Sequence, residues 1–235
     1  LAPLMTERSI NYHFDTFDLP FRDIKKAAKA NDGTANDVFL TAIAEGLGEY
    51  HRRMGKPVEK LRVNMPISLR VPGSGMDNAV TIARFEVPVA GVDVGHIMKE
   101  VGDTVMKWRH EPALEYMNEL AELSRLIPAE LISAVAQASD VTASNVPGVP
   151  VPVWLAGAQV TRMYPLMATL GAAVNVTMLT YNGTASVGVS SDDAAVDDRA
   201  EMVRCLRQGF RSVTGRPVMT GTPLTRRRAK KPATA

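Results

Sequence analysis

Histidine and cysteine are the residues of this 235-residue sequence most able to act as bases, nucleophiles or metal ligands. The four histidines, His13, His51, His96 and His110, are scattered singly, with no His-x-x-x-His pair. Zinc sites in proteins use three or four ligands held close together, so this spacing predicts no metal site. The single cysteine, Cys205, cannot form an internal disulfide, and its place on a helical pattern predicts a buried structural thiol.

Two pairs of adjacent carboxylates, Asp192-Asp193 and Asp197-Asp198, are a second source of acid or base chemistry. Paired carboxylates carry out glycoside hydrolysis, but these two pairs flank a predicted turn and a predicted helix start, where acidic residues are common. No Gly-x-Ser-x-Gly nucleophile motif is present. The residues alone therefore predict no catalytic residue in this chain.

Asn36 and Asp37 stand at the start of the strongest predicted helix, Ala35 to Arg53. Apolar residues recur through this helix at the spacing of a core-facing stripe. Thr34, with Asp37 three residues later, predicts a capping box, which by itself accounts for polar residues in the first turn. A role of Asn36 and Asp37 in a functional site is the alternative interpretation.

A proline-rich stretch, Ser144-Asn145-Val146-Pro147-Gly148, follows a predicted strand at Val141–Ser144 and continues through Pro150 and Pro152. Proline fixes φ and has no N–H, so these residues do not belong in a central sheet ladder. The pattern predicts a stiff connection to a second strand, Ala158 to Tyr164. Two interpretations stay open, a rigid crossover between strands or the wall of a cleft.

The remaining elements mix strands and helices without regular alternation. Ile10, Tyr12 and Phe14 alternate with polar residues, which predicts a half-buried strand with His13 at the surface. Further predictions are strands at 61–69 and 79–89, with Pro66 at an edge or bulge, a helical block from 94 to 138, a hairpin around Asn182-Gly183, and a last helix from Asp198 to Gly215. The fold class is α/β (α+β), with a mixed, mostly antiparallel sheet packed with helices.

Charge divides the chain into a body and a tail. The net charge is +2, but five basic residues lie together near the C-terminus: Arg226, Arg227, Arg228, Lys230 and Lys231. Without them, 22 basic residues stand against 25 acidic ones, a net charge of −3, which argues against a nucleic-acid-binding fold. The predicted organisation is a flexible start (1–8), one domain (9–216) and a disordered basic tail (217–235), which is also the candidate for contact with anionic lipid headgroups.

Several motifs together resemble the C-terminal half of the bacterial wax ester synthase/diacylglycerol acyltransferases, in their order and over about residues 8 to 215. The motifs that carry the resemblance are Thr34-Ala-Asn-Asp-Val-Phe-Leu-Thr, Pro66-Ile-Ser-Leu-Arg, Asp77-Asn78, Ser144-Asn-Val-Pro-Gly, Leu155-Ala-Gly-Ala, Tyr181-Asn-Gly with Val187-Gly-Val, and the segment from Asp193 to Asp198. The mycobacterial triacylglycerol synthases are the most similar in pattern.

This resemblance implies half of a chloramphenicol-acetyltransferase-like fold, in which two similar halves enclose an active-site tunnel. The family's catalytic His-His-x-x-x-Asp-Gly motif lies in the N-terminal half and is absent here, since no two histidines are adjacent. The resemblance therefore implies an acyl-CoA:diacylglycerol or long-chain-alcohol O-acyltransferase whose N-terminal half supplies the general base. It implies no cofactor, acyl-CoA as substrate, and a cytoplasmic protein with peripheral contact to membrane or lipid droplets.

The family's non-catalytic motifs carry over to six residues that would shape or support the tunnel: Asn36, Asp37, Ser144, Asn145, Pro147 and Gly148. The sequence departs from the family after Gly148, where Val149, Pro150 and Val151 replace a second proline and basic residues. Two rival hypotheses remain, a stand-alone lipid- or acyl-CoA-binding module and a condensation-type acyltransferase that uses a carrier-protein thioester.

Overall fold

The computed structural model describes residues 1–68, 80–89, 93–110, 138–169, 171–216 and 218–220. In chain order the elements are β1 (Tyr12–Pro20), α1 (Phe21–Ala30), α2 (Ala35–Arg53), β2 (Lys60–Ser68), β3 (Val80–Pro88), α3 (Val94–Arg109), β4 (Val141–Val146), β5 (Trp154–Leu155), β6 (Ala158–Gln159), β7 (Val174–Tyr181), β8 (Thr184–Asp192), α4 (Arg199–Thr214) and β9 (Met219–Thr220). The predicted helix at Ala35–Arg53 and the predicted last helix are confirmed.

Among these residues seven strands form one sheet in the order β3-β2-β4-β7-β8-β1-β9. The pairs β2–β4 and β4–β7 are parallel, and the other neighbours are antiparallel, so the mixed, mostly antiparallel sheet is confirmed. The Asn182-Gly183 hairpin is also confirmed, because both residues adopt positive φ, at 43° and 80°. Strand β2 is internal in the sheet, but its pairing with β4 ends at Asn64. At Pro66 it pairs with β3 alone, so the predicted edge position holds locally.

The helices pack on one face of the sheet, where the alternate residues of each strand are apolar. Phe17 of β1 meets Phe210 of α4 edge to face, with ring centroids 5.3 Å apart, and Phe39 of α2 completes this cluster. Edge-to-face aromatic pairs add to the stabilisation from burial alone. The apolar stripe of each helix therefore packs against this one face of the sheet.

Helices α2 and α4 cross at a pair of glycines. A β-carbon at Gly209 would lie 2.3 Å from the carbonyl oxygen of Ala42, and one at Gly46 would lie 2.6 Å from the α-carbon of Leu206. The two backbones therefore approach closely enough to exclude any side chain at these positions. The end of α4 follows ordinary capping rules, since Gly215 closes the helix with φ at 65°.

The predicted burial of β1 was wrong. Ile10, Tyr12 and Phe14 are exposed, while Phe17 and Leu19 enter the core. Alternation along the strand then places Asp18 on the opposite face, where it is buried. The apolar residues at the start of the strand mark the face away from the helices.

Both ends of the domain also differ from prediction. Residues 1–8, expected to be a flexible start, pack instead against the core: Met5 is fully buried, and the Ala2 N–H donates to Asp140 over 2.7 Å. Within the expected tail, Met219–Thr220 pair with β1 as a short edge strand. The rest of the tail (221–235), the loop at 72–75 and the helices predicted within 111–137 lie outside the described residues.

His51, near the end of α2, is a fully buried ionisable side chain. Its Nδ1 lies 2.8 Å from the Leu47 carbonyl oxygen, and its Nε2 has no hydrogen-bond partner among the described residues. Burial lowers the pKa of His51, so the folded chain binds its proton only below the pH at which the unfolded chain does.

We expect stability to fall on acidification because of this residue. The unfolded histidine takes up a proton near pH ~6.5. Above that pH His51 is neutral in both states and takes nothing from the stability of the fold. Below it, the unfolded state binds the proton first, so the free energy of unfolding drops by up to about 1.4 kcal/mol per pH unit. Urea denaturation at a series of pH values measures this slope. The slope of the free energy of unfolding against pH should be smaller in His51→Leu than in the parent chain. It should be unchanged in the exposed control His96→Gln, and equal slopes in all three proteins would contradict the prediction.

Cysteine 205 is a buried structural thiol, as predicted. Burial, followed by the hydrogen bond to Glu201, raises the pKa of the Cys205 thiol to about 11. The thiolate is the reactive form, so we expect no measurable reaction of the native chain with Ellman's reagent at pH 8, and complete reaction in guanidinium chloride. Rapid labelling without unfolding would show that α4 opens locally.

Candidate functional site

The first candidate group lies at the start of α2, where the capping box is complete. The Asp37 carboxylate accepts hydrogen bonds from the Thr34 N–H and hydroxyl, each over 2.8 Å, and the Thr34 Oγ1 accepts from the Asp37 N–H over 3.3 Å. Asp37 is buried. Its carboxylate is therefore committed to the helix start, which is the structural role that the sequence predicted.

Helix α3 passes directly over this carboxylate. A β-carbon at Gly102 would lie 3.4 Å from Asp37 Oδ2. A cleft of about 650 Å³ opens beside this contact, between the start of α2 and the face of α3 that carries Met98 and Met106. Its described lining consists of three apolar side chains, three glycines and six polar or charged residues, so the cleft is more polar than most small-molecule sites.

Asn36 points away from the cleft, toward the sheet. Its Nδ2 lies 3.6 Å from Met65 Sδ on β2. Strand β4 runs parallel to β2, and Asn145 lies on the helix-covered face of β4, opposite Met178 of β7. Asn36 and Asn145 thus belong to the same region, the carboxyl ends of three neighbouring parallel strands. Ligands of open α/β sheets bind at such ends.

Ser144 lies on the other face of β4, opposite Thr177. The two faces of one strand therefore separate Ser144 from Asn145, so the motif does not present them to one pocket. The structure brings Asn36 and Asn145 to the carboxyl ends of the same parallel strands. Asp37 lies in a capping box, and Ser144 lies on the opposite face of the sheet.

Gly148 holds the proline-rich loop against the end of β7. Its N–H donates to the Thr180 hydroxyl over 3.1 Å, and a β-carbon would lie only 1.8 Å from the Thr180 carbonyl oxygen. Glycine is required here because no side chain fits. Pro147 precedes it in the exposed part of the loop.

Tyr181 fixes the rest of this loop. Its hydroxyl accepts from the Val153 N–H over 2.9 Å and donates to the Val160 carbonyl oxygen over 2.7 Å. The Asn182 N–H also donates to the Val149 carbonyl oxygen, over 3.0 Å. The loop is therefore attached along its length to one hairpin and forms a rigid wall beside the strand ends.

A third feature, Asp18, was missed in the sequence. This buried carboxylate on β1 accepts hydrogen bonds from Arg162, Tyr164 and Ser186, all over 2.8 Å. Arg162 and Tyr164 belong to residues 160–169, here named the strap, which was predicted to be a strand as far as Tyr164. The strand ends at Gln159, because the chain turns across the sheet. The one sequence signal was an aspartate within the apolar run Phe17-Asp18-Leu19.

The strap covers the face of the sheet opposite the helices. The Pro165 carbonyl oxygen lies so close to β8 that a β-carbon at Gly188 would be 1.7 Å from it. Beneath the strap the strands carry buried polar side chains: Thr142, Asn175, Thr177, Ser186 and Ser190. Asp18 thus anchors a segment that closes a polar face, which would otherwise be open to solvent.

None of the described residues lining the cleft or forming the loop is a histidine or cysteine. His13 pairs with Asp193 at the surface, as predicted, and His96 lies 3.7 Å from Glu100. The described parts of the chain hold no group of three or more His, Cys, Asp or Glu residues placed to bind a metal ion. What the site offers is shape and fixed hydrogen-bonding groups, and the ionisable side chains among its described lining residues are Asp32, Asp37, Lys99 and Asp103.

The family model of the WS/DGAT C-terminal domain matches residues 76–214. The chain belongs to this family. A putative diacylglycerol O-acyltransferase of Mycobacterium tuberculosis is 31% identical over 213 residues, which cover 89% of this chain and 43% of that protein. The O-acyltransferase WSD of Acinetobacter baylyi is 28% identical over 188 residues, covering 74% of this chain and 40% of that protein. This chain thus spans less than half the length of these relatives.

Solved structures show the same fold. The wax ester synthase/diacylglycerol acyltransferase from Marinobacter aquaeolei VT8 superposes with a TM-score of 0.64 at 20% identity, over 91% of this chain and 52% of that one. A condensation domain of the enacyloxin polyketide synthase superposes with a TM-score of 0.59 at 14% identity, over 99% of this chain and 44% of that one. The expected WS/DGAT fold, with its likeness to condensation domains, is confirmed.

Proposed function

We propose that this WS/DGAT domain is the C-terminal half of an acyl-CoA-dependent O-acyltransferase that forms triacylglycerol or wax esters. The observation that carries the proposal is the family match over residues 76–214 in a chain that spans 43% of its mycobacterial relative. The relatives named above are acyltransferases by name. The absence of a histidine from the described site supports a general base supplied by the N-terminal half.

In this proposal the six motif residues act on the geometry of the tunnel. Asn36 and Asn145 contribute amides near the ends of the parallel strands, while Asp37 fixes the start of α2 beside the cleft. Gly148 lets the loop with Pro147 close against β7, and Ser144 belongs to the face beneath the strap. The acyl-CoA thioester and the acceptor hydroxyl would then meet at a wall that excludes water.

The N-terminal half is the proposed partner for exposed apolar residues on the side of the sheet away from the helices. Trp154 is 62% exposed and Leu155 is 76% exposed, both in the β5–β6 hairpin, and Phe14 and Ile82 are exposed on strands β1 and β3. Large apolar side chains exposed side by side in one hairpin are candidates for burial against a partner. A partner half packed against the β5–β6 hairpin would bury Trp154 and Leu155.

The proposed location is the cytoplasm, with peripheral contact to membrane or lipid droplets. Within the described parts of the chain, no helix has the length and hydropathy needed to cross a bilayer. The basic residues from Arg226 to Lys231 supply the charge for attraction to an anionic lipid surface.

The expected result of a direct assay is that this chain alone transfers no acyl group from palmitoyl-CoA to diacylglycerol, since it lacks the base. An in-frame His-His-x-x-x-Asp-Gly encoded upstream of Leu1, with transfer restored in the longer protein, would support the half-enzyme. Clear turnover by this chain alone would refute it. Acyl-CoA binding with no such motif upstream would support the binding module, and turnover only with an acylated carrier protein would support condensation-type chemistry.

A further inference from the structure

Helix α4 carries three arginines along one side. Arg204, Arg207 and Arg211 follow one another at spacings of three and four residues, which places them on one helical face. They line a groove of about 710 Å³ together with Gln208, Ser212 and Val218. No acidic residue is found among the described residues that line this groove. Like charges at these spacings repel, so the arrangement costs stability unless an anion lies between them.

Arg207 forms the base of this groove and is held in place. Its guanidinium carbon lies 5.8 Å from the centroid of the Phe17 ring, and its Nη2 donates to the Thr16 carbonyl oxygen over 3.3 Å. Its Nε is buried, with no hydrogen-bond partner in the described parts of the chain. The planar guanidinium is thus oriented by β1 and keeps an unused donor.

The charges of the groove are only partly compensated. Glu201 pairs with Arg204 and also lies 3.4 Å from Arg53, which has Glu49 as a further partner, so Arg204 is the one arginine of the groove with a carboxylate partner among the described residues. Arg207 and Arg211 form no ion pair with any described residue. The oriented guanidinium of Arg207 and the exposed guanidinium of Arg211, with hydroxyl and amide groups nearby, match the oxygen atoms of a phosphate group.

We propose that the groove between α4 and the β1–β9 edge is a binding site for a phosphate group. Phosphate oxygens would accept hydrogen bonds from Arg207 and Arg211, with Gln208 and Ser212 as further donors. Two sources share this chemistry: the phosphates at the adenosine end of CoA and the phosphate of an anionic lipid headgroup. The inference does not depend on the proposed transfer reaction, because binding is measured without turnover.

The experiment measures two probes on the same proteins. Adenosine 3′,5′-bisphosphate is titrated by calorimetry, and vesicles of phosphatidylglycerol with phosphatidylcholine are tested by co-flotation. The variants are Arg207→Gln/Arg211→Gln and Arg211→Gln alone, which leaves the contact with Phe17 intact. The matched control, Arg22→Gln/Lys26→Gln, removes the same charge from the exposed side of α1.

The double variant in the groove should weaken binding at least about tenfold, as expected for losing charge-assisted hydrogen bonds, and the control should not. Arg211→Gln alone should weaken binding in the same direction, with an unchanged melting curve. Binding of the bisphosphate assigns the site to a soluble phosphate ester, and binding of the vesicles alone assigns it to a lipid headgroup. Failure of both probes to bind the parent chain, or equal losses in groove and control variants, would overturn the proposal.

Discussion

Replacing Gly209 by alanine is expected to destabilise the chain by about 2–3 kcal/mol, the range of a severe overpacking in a core. The new methyl group would lie 2.3 Å from the Ala42 carbonyl oxygen and 2.6 Å from the Gly46 nitrogen. Both are backbone atoms of α2, so no rotamer change relieves the contact, and the two helices must separate. This separation would loosen Phe210 from Phe17 and Phe39, the aromatic centre of the core.

The expected loss is informative because the same substitution normally helps a helix. Alanine is favoured over glycine in a helix interior by about 0.5–1 kcal/mol. Gly102 in α3 provides the matched control, since a β-carbon there would lie at an ordinary contact distance of 3.4 Å from Asp37 Oδ2. Urea denaturation should therefore show Gly102→Ala neutral or stabilised and Gly209→Ala strongly destabilised. Equal stabilities would mean that α2 and α4 do not cross at these glycines.

Local signals in the sequence were sufficient for most elements. The capping box of α2, the Asp198 cap of α4, the apolar stripes of the described helices and the Asn182-Gly183 turn each depend on residues within one turn of helix or one hairpin, and the structure has them. Asp198 caps α4 as predicted, accepting from the Glu201 N–H over 2.9 Å. Such features are predictable because the energy that decides them is local.

The errors came where distant segments decide the outcome. The apolar alternation at Tyr12 and Phe14 pointed to a buried face, yet the sheet places its core on the phase of Phe17. Periodicity fixes which residues share a face, but not which face meets the helices. Residues 160–164 fail as a strand for a similar reason, because Asp18, more than a hundred residues earlier, holds Arg162 and Tyr164 across the sheet.

The candidate site was predicted only as a set of motifs. Asn36 and Asn145 lie near the same strand ends because β2 and β4 are parallel neighbours, a pairing that no local pattern reveals. The contact of Asp37 with Gly102 is equally non-local. The tunnel-supporting role of these residues stays a prediction, while the capping by Asp37 is a feature of the structure.

The strongest test of the loop as a wall is Gly148→Ala, which should detach the loop and leave the core intact. The added methyl group would lie 1.8 Å from the Thr180 carbonyl oxygen, a backbone atom that trimming the Thr180 side chain cannot remove. The hydrogen bond from the Gly148 N–H to the Thr180 hydroxyl would break, and the neighbouring bond from the Asn182 N–H to the Val149 carbonyl oxygen would be strained.

Limited proteolysis is the readout that separates loop opening from global unfolding. Cleavage within residues 147–160 should accelerate about tenfold or more, because proteolysis follows the population of the open form and about 1.4 kcal/mol changes it tenfold. The control Val149→Ala trims an exposed side chain and keeps the glycine, so its cleavage rate should match that of the parent chain. If the loop is a wall of the acyl tunnel, Gly148→Ala in the longer protein should abolish acyl transfer at an almost unchanged melting temperature. Full activity with a detached loop would limit this stretch to a crossover between strands.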